Sequence, residues 1–112
     1  MQELNITPKM TRVLKVFLED PGQPRYGFEL MRCTGLASGS LYPMLARLEE
    51  AGWLTGGKEN IDPSTEGRPP RRHYTITGAA VAAARVQLAA LSEQYRPPVP
   101  TQARLKPYGC IA

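Results

Sequence analysis

Arginines cluster in one short stretch of the sequence, residues 66–74, which reads E-G-R-P-P-R-R-H-Y. They are Arg68, Arg71 and Arg72, and a pair of prolines stiffens the backbone between the first and the other two. A stiff backbone lowers the conformational entropy that is lost when a guanidinium group binds a phosphate or enters a narrow minor groove. The cluster therefore predicts a loop that contacts a nucleic-acid backbone. The alternative is a disordered basic loop with no specific partner.

A second group of polar side chains lies in residues 38–47, S-G-S-L-Y-P-M-L-A-R. The apolar residues of this region are spaced three and four apart, as on one buried face of a helix, and they are Leu41, Met44, Leu45 and Leu48. The other side of the helix carries Gly39, Tyr42, Pro43, Ala46 and Arg47, and Ser38 and Ser40 lie at the start of the helix. Hydroxyl and guanidinium groups can bind base edges in the major groove. We predict a DNA recognition helix, and the alternative is an ordinary amphipathic core helix with a proline near its start.

Charge is distributed unevenly along the 112-residue chain, whose formal net charge is +4. Residues 1–67 contain seven basic and nine acidic side chains, a net charge of −2, whereas residues 68–112 contain seven basic and one acidic, a net charge of +6. A basic excess of this kind is expected where the protein meets phosphate. The segment before the arginine cluster is mixed in charge, so we expect the arginine limb of the loop to face the DNA.

Two helices joined by a short turn are predicted in the middle of the chain, at residues 26–33 and 38–51. Ser38 and Ser40 are expected to cap the second of them, and Gly52 is expected to end it. A glycine lies in the turn, and this arrangement is the sequence form of a helix-turn-helix.

A preceding helix begins at Thr7 and Pro8 and is expected to brace the pair. Its apolar stripe consists of Met10, Val13, Leu14, Phe17 and Leu18. Residues 23–25 are predicted to be a connector between this helix and the next.

After the helix-turn-helix, residues 53–55 and 73–77 are predicted strands of a small β-hairpin. The segment between them, which starts at a glycine pair, is predicted to be a flexible excursion through residue 67. A strand, a loop and a strand after a helix-turn-helix form the winged-helix pattern, with the loop as the wing.

The last predicted helix spans residues 78–95, with Thr77 as its cap, and carries an apolar seam with heptad-like spacing. The seam consists of Val81, Ala84, Leu88, Leu91 and Tyr95. Such a seam either packs onto its own core or pairs with a second copy. We favour pairing, because a helix-turn-helix that reads a palindrome needs a two-fold partner. The domain organisation is therefore 1–77 for DNA binding, 78–95 for dimerisation and 96–112 for an extended proline-rich tail.

Other classes of protein find little support in the sequence. The N-terminal residues lack the features of a signal peptide, and no apolar run is long enough to span a bilayer, so a cytoplasmic location is expected. The single histidine, His73, lies in a predicted wing strand, where packing or a phosphate contact is favoured over general base catalysis. Cys33 and Cys110 form no C-x-x-C unit and no ligand pair has a zinc-type spacing. We expect no enzyme activity, no cofactor and no metal.

The run G-S-L-Y-P-M-L-A-R-L-E-E-A-G-W-L at residues 39–54, followed by E-G-R-P-P-R-R-H-Y-T-I-T-G at residues 66–78, resembles the PadR family of bacterial transcriptional regulators. The resemblance implies a winged helix-turn-helix dimer that represses transcription, often of genes near its own. It also implies that the polar residues of 38–47 lie in the recognition helix and that the three clustered arginines lie on the wing.

Together these observations predict a mainly α protein with a small β-hairpin (α+β), a homodimeric repressor that binds an inverted-repeat DNA operator and is released by an effector. A small-molecule effector is a possible further partner, and no membrane contact is expected. The alternative is a winged-helix module for protein docking or small-ligand sensing without DNA binding, with Trp53 and Tyr95 as candidate ligand contacts.

Overall fold

Helices and one small sheet make up the protein in a computed structural model that describes residues 1–94. The elements in chain order are α1 (Pro8–Glu19), β1 (Arg25–Tyr26), α2 (Gly27–Thr34), α3 (Ser38–Glu50), β2 (Leu54–Lys58), α4 (Pro63–Glu66), β3 (Arg72–Ile76) and α5 (Gly78–Gln94). The strands form one antiparallel sheet in the order β1-β3-β2. The predicted class, mainly α with a small β element, is confirmed. No helix in this part of the chain is long and apolar enough to cross a membrane.

The core is formed by the buried sides of α1, α2 and α3, by strands β2 and β3, and by the first turns of α5. Helix α1 begins as predicted, because Thr7 Oγ1 accepts a hydrogen bond from the Met10 N–H at 3.2 Å and Pro8 is the first helical residue. The predicted apolar stripe of α3 is buried, and its members are Leu41, Met44, Leu45 and Leu48. Since truncating a fully buried leucine costs about 2–5 kcal/mol, this stripe fixes which side of α3 faces outward.

The start of α3 differs from the prediction. Ala37 is the N-cap and no side chain caps the helix, so the prediction that Ser38 and Ser40 cap it is wrong. The turn is fixed instead by Leu36, which is 7% exposed and whose N–H donates to Thr34 Oγ1 at 3.2 Å. With Leu36 buried, Ala37 is the residue that precedes the helix. Both serines then lie inside the helix, where they cannot cap it.

The sheet contains a strand that the sequence did not reveal. Residues 25 and 26 form β1, where Arg25 pairs with Tyr74 and Tyr26 pairs with His73. The prediction of a connector at residues 23–25 was therefore wrong at its end. A two-residue strand has no periodicity of its own, and its formation depends on pairing with a strand almost fifty positions away.

The two glycines of the wing are part of strand β2 and do not begin a flexible excursion. Gly56 pairs with Tyr74, and Gly57 pairs with His73. A Cβ atom at Gly57 would lie 2.8 Å from Cε1 of the His73 ring. A side chain at this position would therefore push the cross-strand ring out of its place over the backbone.

The remainder of the wing loop is also ordered by local hydrogen bonds. Asp62 caps the short helix α4, accepting from the Ser64 N–H at 3.0 Å and from the Thr65 hydroxyl at 2.9 Å. Gly67 ends this helix with a left-handed φ of 72°. The prediction of a flexible excursion through residue 67 is corrected by this helix, which is too short to show a helical period.

Helix α5 packs back onto the core through its first turns. Thr77 Oγ1 accepts from the Ala80 N–H at 3.3 Å, as expected for a cap. Ala80 and Ala84 are 0% exposed. The N-terminal segment is tied to the same region, because the Gln2 N–H donates to the Ala51 carbonyl at 2.8 Å. Tyr95 and the predicted tail, residues 96–112, lie outside the described residues.

Candidate nucleic-acid interface

Helix α3 presents its polar side away from the core. Ser38, Tyr42, Pro43 and Arg47 are exposed, and Ser40 is half-buried. Pro43 lies inside the helix and has no N–H, so the carbonyl of Gly39 cannot accept the usual hydrogen bond from it. That carbonyl and the neighbouring serine hydroxyls leave this surface able to accept and to donate hydrogen bonds.

Arg47 is the cation of this surface. It is exposed, and in the described part of the chain it forms no ion pair. Its five N–H donors are therefore available to an external acceptor. A guanidinium group that is free in this way can bind guanine O6 and N7 together, the commonest specific contact in the major groove.

The side chain of Tyr42, which belongs to α3, packs against the start of α2. Its side chain is 42% exposed, but its hydroxyl end is packed against the backbone of Gly27. A Cβ atom at Gly27 would lie 2.7 Å from Tyr42 Cζ, so the first residue of α2 must be a glycine for the ring to occupy this place. Gly27 was not identified from the sequence, where its only signal is a glycine at the start of a predicted helix.

On the wing, Arg68 is engaged by a carboxylate of the same loop. Its Nη1 lies 2.6 Å from Glu59 Oε1, and its Nη2 lies 3.3 Å from Glu59 Oε2. This fork-to-fork pair is partly shielded, since the two side chains are 31% and 16% exposed. Arg68 therefore closes the base of the wing.

Arg72 connects the wing to α3. Its Nη2 lies 2.6 Å from Glu49 Oε2 near the end of α3, and its guanidinium carbon lies 5.5 Å from the centre of the Tyr74 ring. The pair crosses directly above Gly56, where a Cβ atom would lie 2.5 Å from both charged groups. Glycine at this position lets the ion pair lie close to the sheet.

Arg71 is placed differently from the other two wing arginines. Its guanidinium carbon lies 5.3 Å from the centre of the Phe28 ring, and Phe28 is 49% exposed on the first turn of α2. Among the described residues it has no carboxylate within ion-pair distance. Phe28 was not identified from the sequence, where an apolar residue in a helix indicates a core position.

The Glu59 carboxylate makes a pH-dependent contribution to stability that can be tested. The Arg68 side chain and then the Arg71 N–H lower its pKa from 4.5 to about 2. The pKa of Glu59 is lower in the folded state than in the unfolded state. The stability that Glu59 contributes is therefore complete at pH values above its unfolded-state pKa, and it is lost as the pH falls through its folded-state pKa. We expect wild type to lose stability relative to Glu59→Gln between these two values, and the difference to stay constant above about pH 5.

Urea unfolding of wild type and Glu59→Gln at several pH values measures this difference. Glu66→Gln is the matched control, since Glu66 is an exposed carboxylate of the same loop that forms no ion pair in the described region. Parallel stability curves for wild type and Glu59→Gln through acid would contradict the prediction.

The predicted dimer seam on α5 divides into two parts. Ala84 is 0% exposed and Val81 packs against the protein's own core, so the first part is used within the protomer. Leu88 and Leu91 are half-buried further along the helix, and Val86 on the opposite side is 71% exposed. Surface that is open to a second copy therefore begins beyond Ala84.

A shallow groove of about 420 Å³ lies between the N-terminal segment and α5. Its lining includes Met1, Trp53, Ala83 and Val86. Trp53 is 1% exposed, and its indole N–H donates to the Gln2 carbonyl at 2.7 Å. Trp53 is thus mainly a core residue that contributes an edge to the groove.

A tri-helical core, a short helix-turn-helix and a three-stranded sheet whose β2–β3 loop forms a wing define a winged helix-turn-helix protein. The family model of the transcriptional regulator PadR-like family matches residues 13–84. The chain belongs to this family of transcriptional regulators, and the predicted resemblance is confirmed. No curated protein matches the chain significantly.

Solved structures share this fold. The chain is similar to smu.1704 from Streptococcus mutans UA159, with a TM-score of 0.62 and 18% identity over 83% of this chain and 86% of that one. It is similar to a PadR-like transcription factor from Bacteroides fragilis, with a TM-score of 0.61 and 21% identity over 76% and 82%. A Streptococcus transcriptional regulator has a TM-score of 0.52 and 26% identity over 79% and 93%.

Proposed function

We propose that this protein is a cytoplasmic, sequence-specific DNA-binding repressor without catalytic activity. It acts as a homodimer on an inverted-repeat operator near the genes that it regulates, and an effector releases it. The observation that carries the proposal is the outer side of α3, which presents exposed Arg47, exposed Tyr42 and serine hydroxyls, and where Arg47 has no carboxylate partner in the described region. Membership of a family of transcriptional regulators supports the same role.

In this proposal each protomer inserts α3 into a major groove. Arg47, Tyr42 and Ser40 read base edges, Ser38 and Pro43 lie against the DNA at the start of the helix, and the wing arginines approach the flanking backbone. Phosphate contacts supply most of the affinity and make it fall with salt, whereas the contacts to base edges supply the discrimination between sequences.

Dimerisation through the second part of the α5 seam leads to a separate prediction. Leu88→Glu is expected to halve the mass in solution, because a charge placed in an apolar interface loses its hydration without gaining a partner. Ala89→Glu, at the exposed neighbouring position, is the matched control and should stay dimeric. Light scattering measures the mass and circular dichroism verifies the fold. A folded, dimeric Leu88→Glu protein would contradict this interface.

An in-vitro selection from random duplex DNA tests the proposal as a whole. Recovery of an inverted repeat with half-sites about one helical turn apart would support both DNA reading and the two-fold dimer. Recovery of no sequence above background would favour the alternative, a docking or ligand-sensing module. The apolar groove beside Trp53 is the feature that favours a small ligand in that case.

A further inference from the structure

The register of the sheet determines where Arg71 lies. Strand β1 pairs with β3 so that Tyr26 is opposite His73. Because the strands are antiparallel, Phe28, two residues after Tyr26, and Arg71, two residues before His73, lie just beyond the same end of this pairing. The guanidinium carbon of Arg71 accordingly lies 5.3 Å from the centre of the Phe28 ring. A pairing between distant segments thus places a wing cation on an aromatic ring of the helix-turn-helix.

The backbone of Arg71 is fixed at both of its polar groups by one residue. Its N–H donates to Glu59 Oε1 at 2.9 Å, and its carbonyl accepts from the Glu59 N–H at 2.9 Å. The point from which the side chain leaves the wing is therefore defined. Phe28 then limits the directions that the side chain can take, while the planar guanidinium keeps its edge donors available.

Phe28 lies on the first turn of α2, next to the contact between α2 and α3. It follows Gly27, whose backbone contacts the hydroxyl end of Tyr42 on the outer side of α3. Nearly half of the Phe28 side chain is exposed, at 49%. An exposed phenylalanine contributes little to a core, and its ring instead contacts the Arg71 guanidinium on the wing and the Tyr26 ring, whose centre lies 6.4 Å away.

The other two wing arginines are bound to carboxylates. Arg68 is paired with Glu59 and Arg72 is paired with Glu49, each at 2.6 Å. In each pair the carboxylate offsets the positive charge of the guanidinium, so a phosphate gains less from binding Arg68 or Arg72 than from binding an arginine without a carboxylate partner. Each pair also holds part of the fold in place. The Arg68–Glu59 pair closes the wing, and the Arg72–Glu49 pair connects the wing to α3.

We infer that Arg71, held against Phe28, is the arginine through which the wing binds a DNA phosphate, and that Arg68 and Arg72 are positioning residues of the wing. The inference rests on the proposed DNA binding and assigns different roles to arginines that the sequence alone treats as equivalent. It also gives Phe28 a role as a positioning residue that acts through Arg71.

The salt dependence of binding distinguishes the three arginines. Fluorescence anisotropy with a labelled duplex of mixed sequence gives the dissociation constant of the full chain at several salt concentrations. Affinity falls as salt rises, and Arg71→Ala is expected to make the plot of log affinity against log salt less steep by about 0.9 for each protomer bound. Arg68→Ala and Arg72→Ala are expected to change the slope by less than half as much. Equal slope changes for all three variants, or none for Arg71→Ala, would overturn the inference.

A double-mutant cycle tests the role of Phe28. Phe28→Leu is expected to weaken binding by about two- to fivefold, the size of an exposed cation–π contact. In an Arg71→Ala background the same change should have no further effect, because its partner is absent. Equal losses in both backgrounds would overturn the role of Phe28, and thermal unfolding verifies that each variant is folded.

The failure of this inference differs from that of the proposed function. A wild-type chain that binds the duplex with normal salt dependence, but whose Arg71→Ala variant has the same slope, would overturn only the assignment of Arg71. A wild-type chain that binds no duplex even at low salt would overturn both.

Discussion

Replacing Arg25 by methionine is expected to lower the free energy of unfolding by about 2–4 kcal/mol. Its side chain is only 11% exposed, and Nη1 lies 2.9 Å from Glu29 Oε2. Nη2 donates to the Val16 carbonyl at 3.2 Å. Removing the guanidinium leaves a shielded carboxylate without its counter-charge and a backbone acceptor without its donor. The loss is large because α1, β1 and α2 all meet at this one side chain.

Urea unfolding of the variant measures this loss. Arg32→Met is the matched control, because Arg32 is an exposed arginine of α2 that forms no ion pair in the described region. The double variant Arg25→Met/Glu29→Gln should recover part of the stability, since glutamine carries no charge and can still accept from the Tyr26 N–H as Glu29 does at 3.3 Å. A loss below about 1 kcal/mol would show that the ion pair contributes no more than a surface pair.

The parts of the fold that could be predicted are those fixed by local patterns. The stripes of α1 and α3 repeat every three to four residues, so their buried faces follow from the sequence. Thr7 and Thr77 lie directly before apolar or alanine-rich helices, and both act as caps in the structure. These features depend on interactions within a few residues, which the sequence order itself displays.

The parts that could not be predicted depend on pairs of residues far apart in the chain. Strand β1 exists only because it pairs with β3, and the Arg72–Glu49 bridge joins residues that are 23 positions apart. The same limitation affects the candidate site. The three wing arginines are close together in the sequence, but each has a different environment in the structure. The register of the sheet is what distinguishes Arg71 from Arg68 and Arg72. The sequence did carry one signal of these contacts, the glycine pair Gly56-Gly57. Glycines within a strand indicate that another group approaches the backbone closely.

Replacing Arg47 by alanine is expected to weaken operator binding by about 1–3 kcal/mol, or roughly 5- to 150-fold, and to relax the preference at one base pair in each half-site. The residue is exposed and has no ion pair in the described part of the chain, so its removal should leave the stability of the fold unchanged. The loss in binding can therefore be attributed to the contact with DNA.

Arg47→Lys separates base reading from simple charge. Lysine keeps the positive charge but lacks the planar fork that binds two acceptors of guanine together. If Arg47 reads a base, Arg47→Lys should lose discrimination at the same base pair as Arg47→Ala while keeping most of the affinity for non-specific duplex. Binding constants for the selected operator and for single-base variants of it measure both effects. A uniform loss across all sequences, restored by lysine, would instead assign Arg47 to a phosphate, and discrimination would then depend on Tyr42 and the serine hydroxyls at the start of α3.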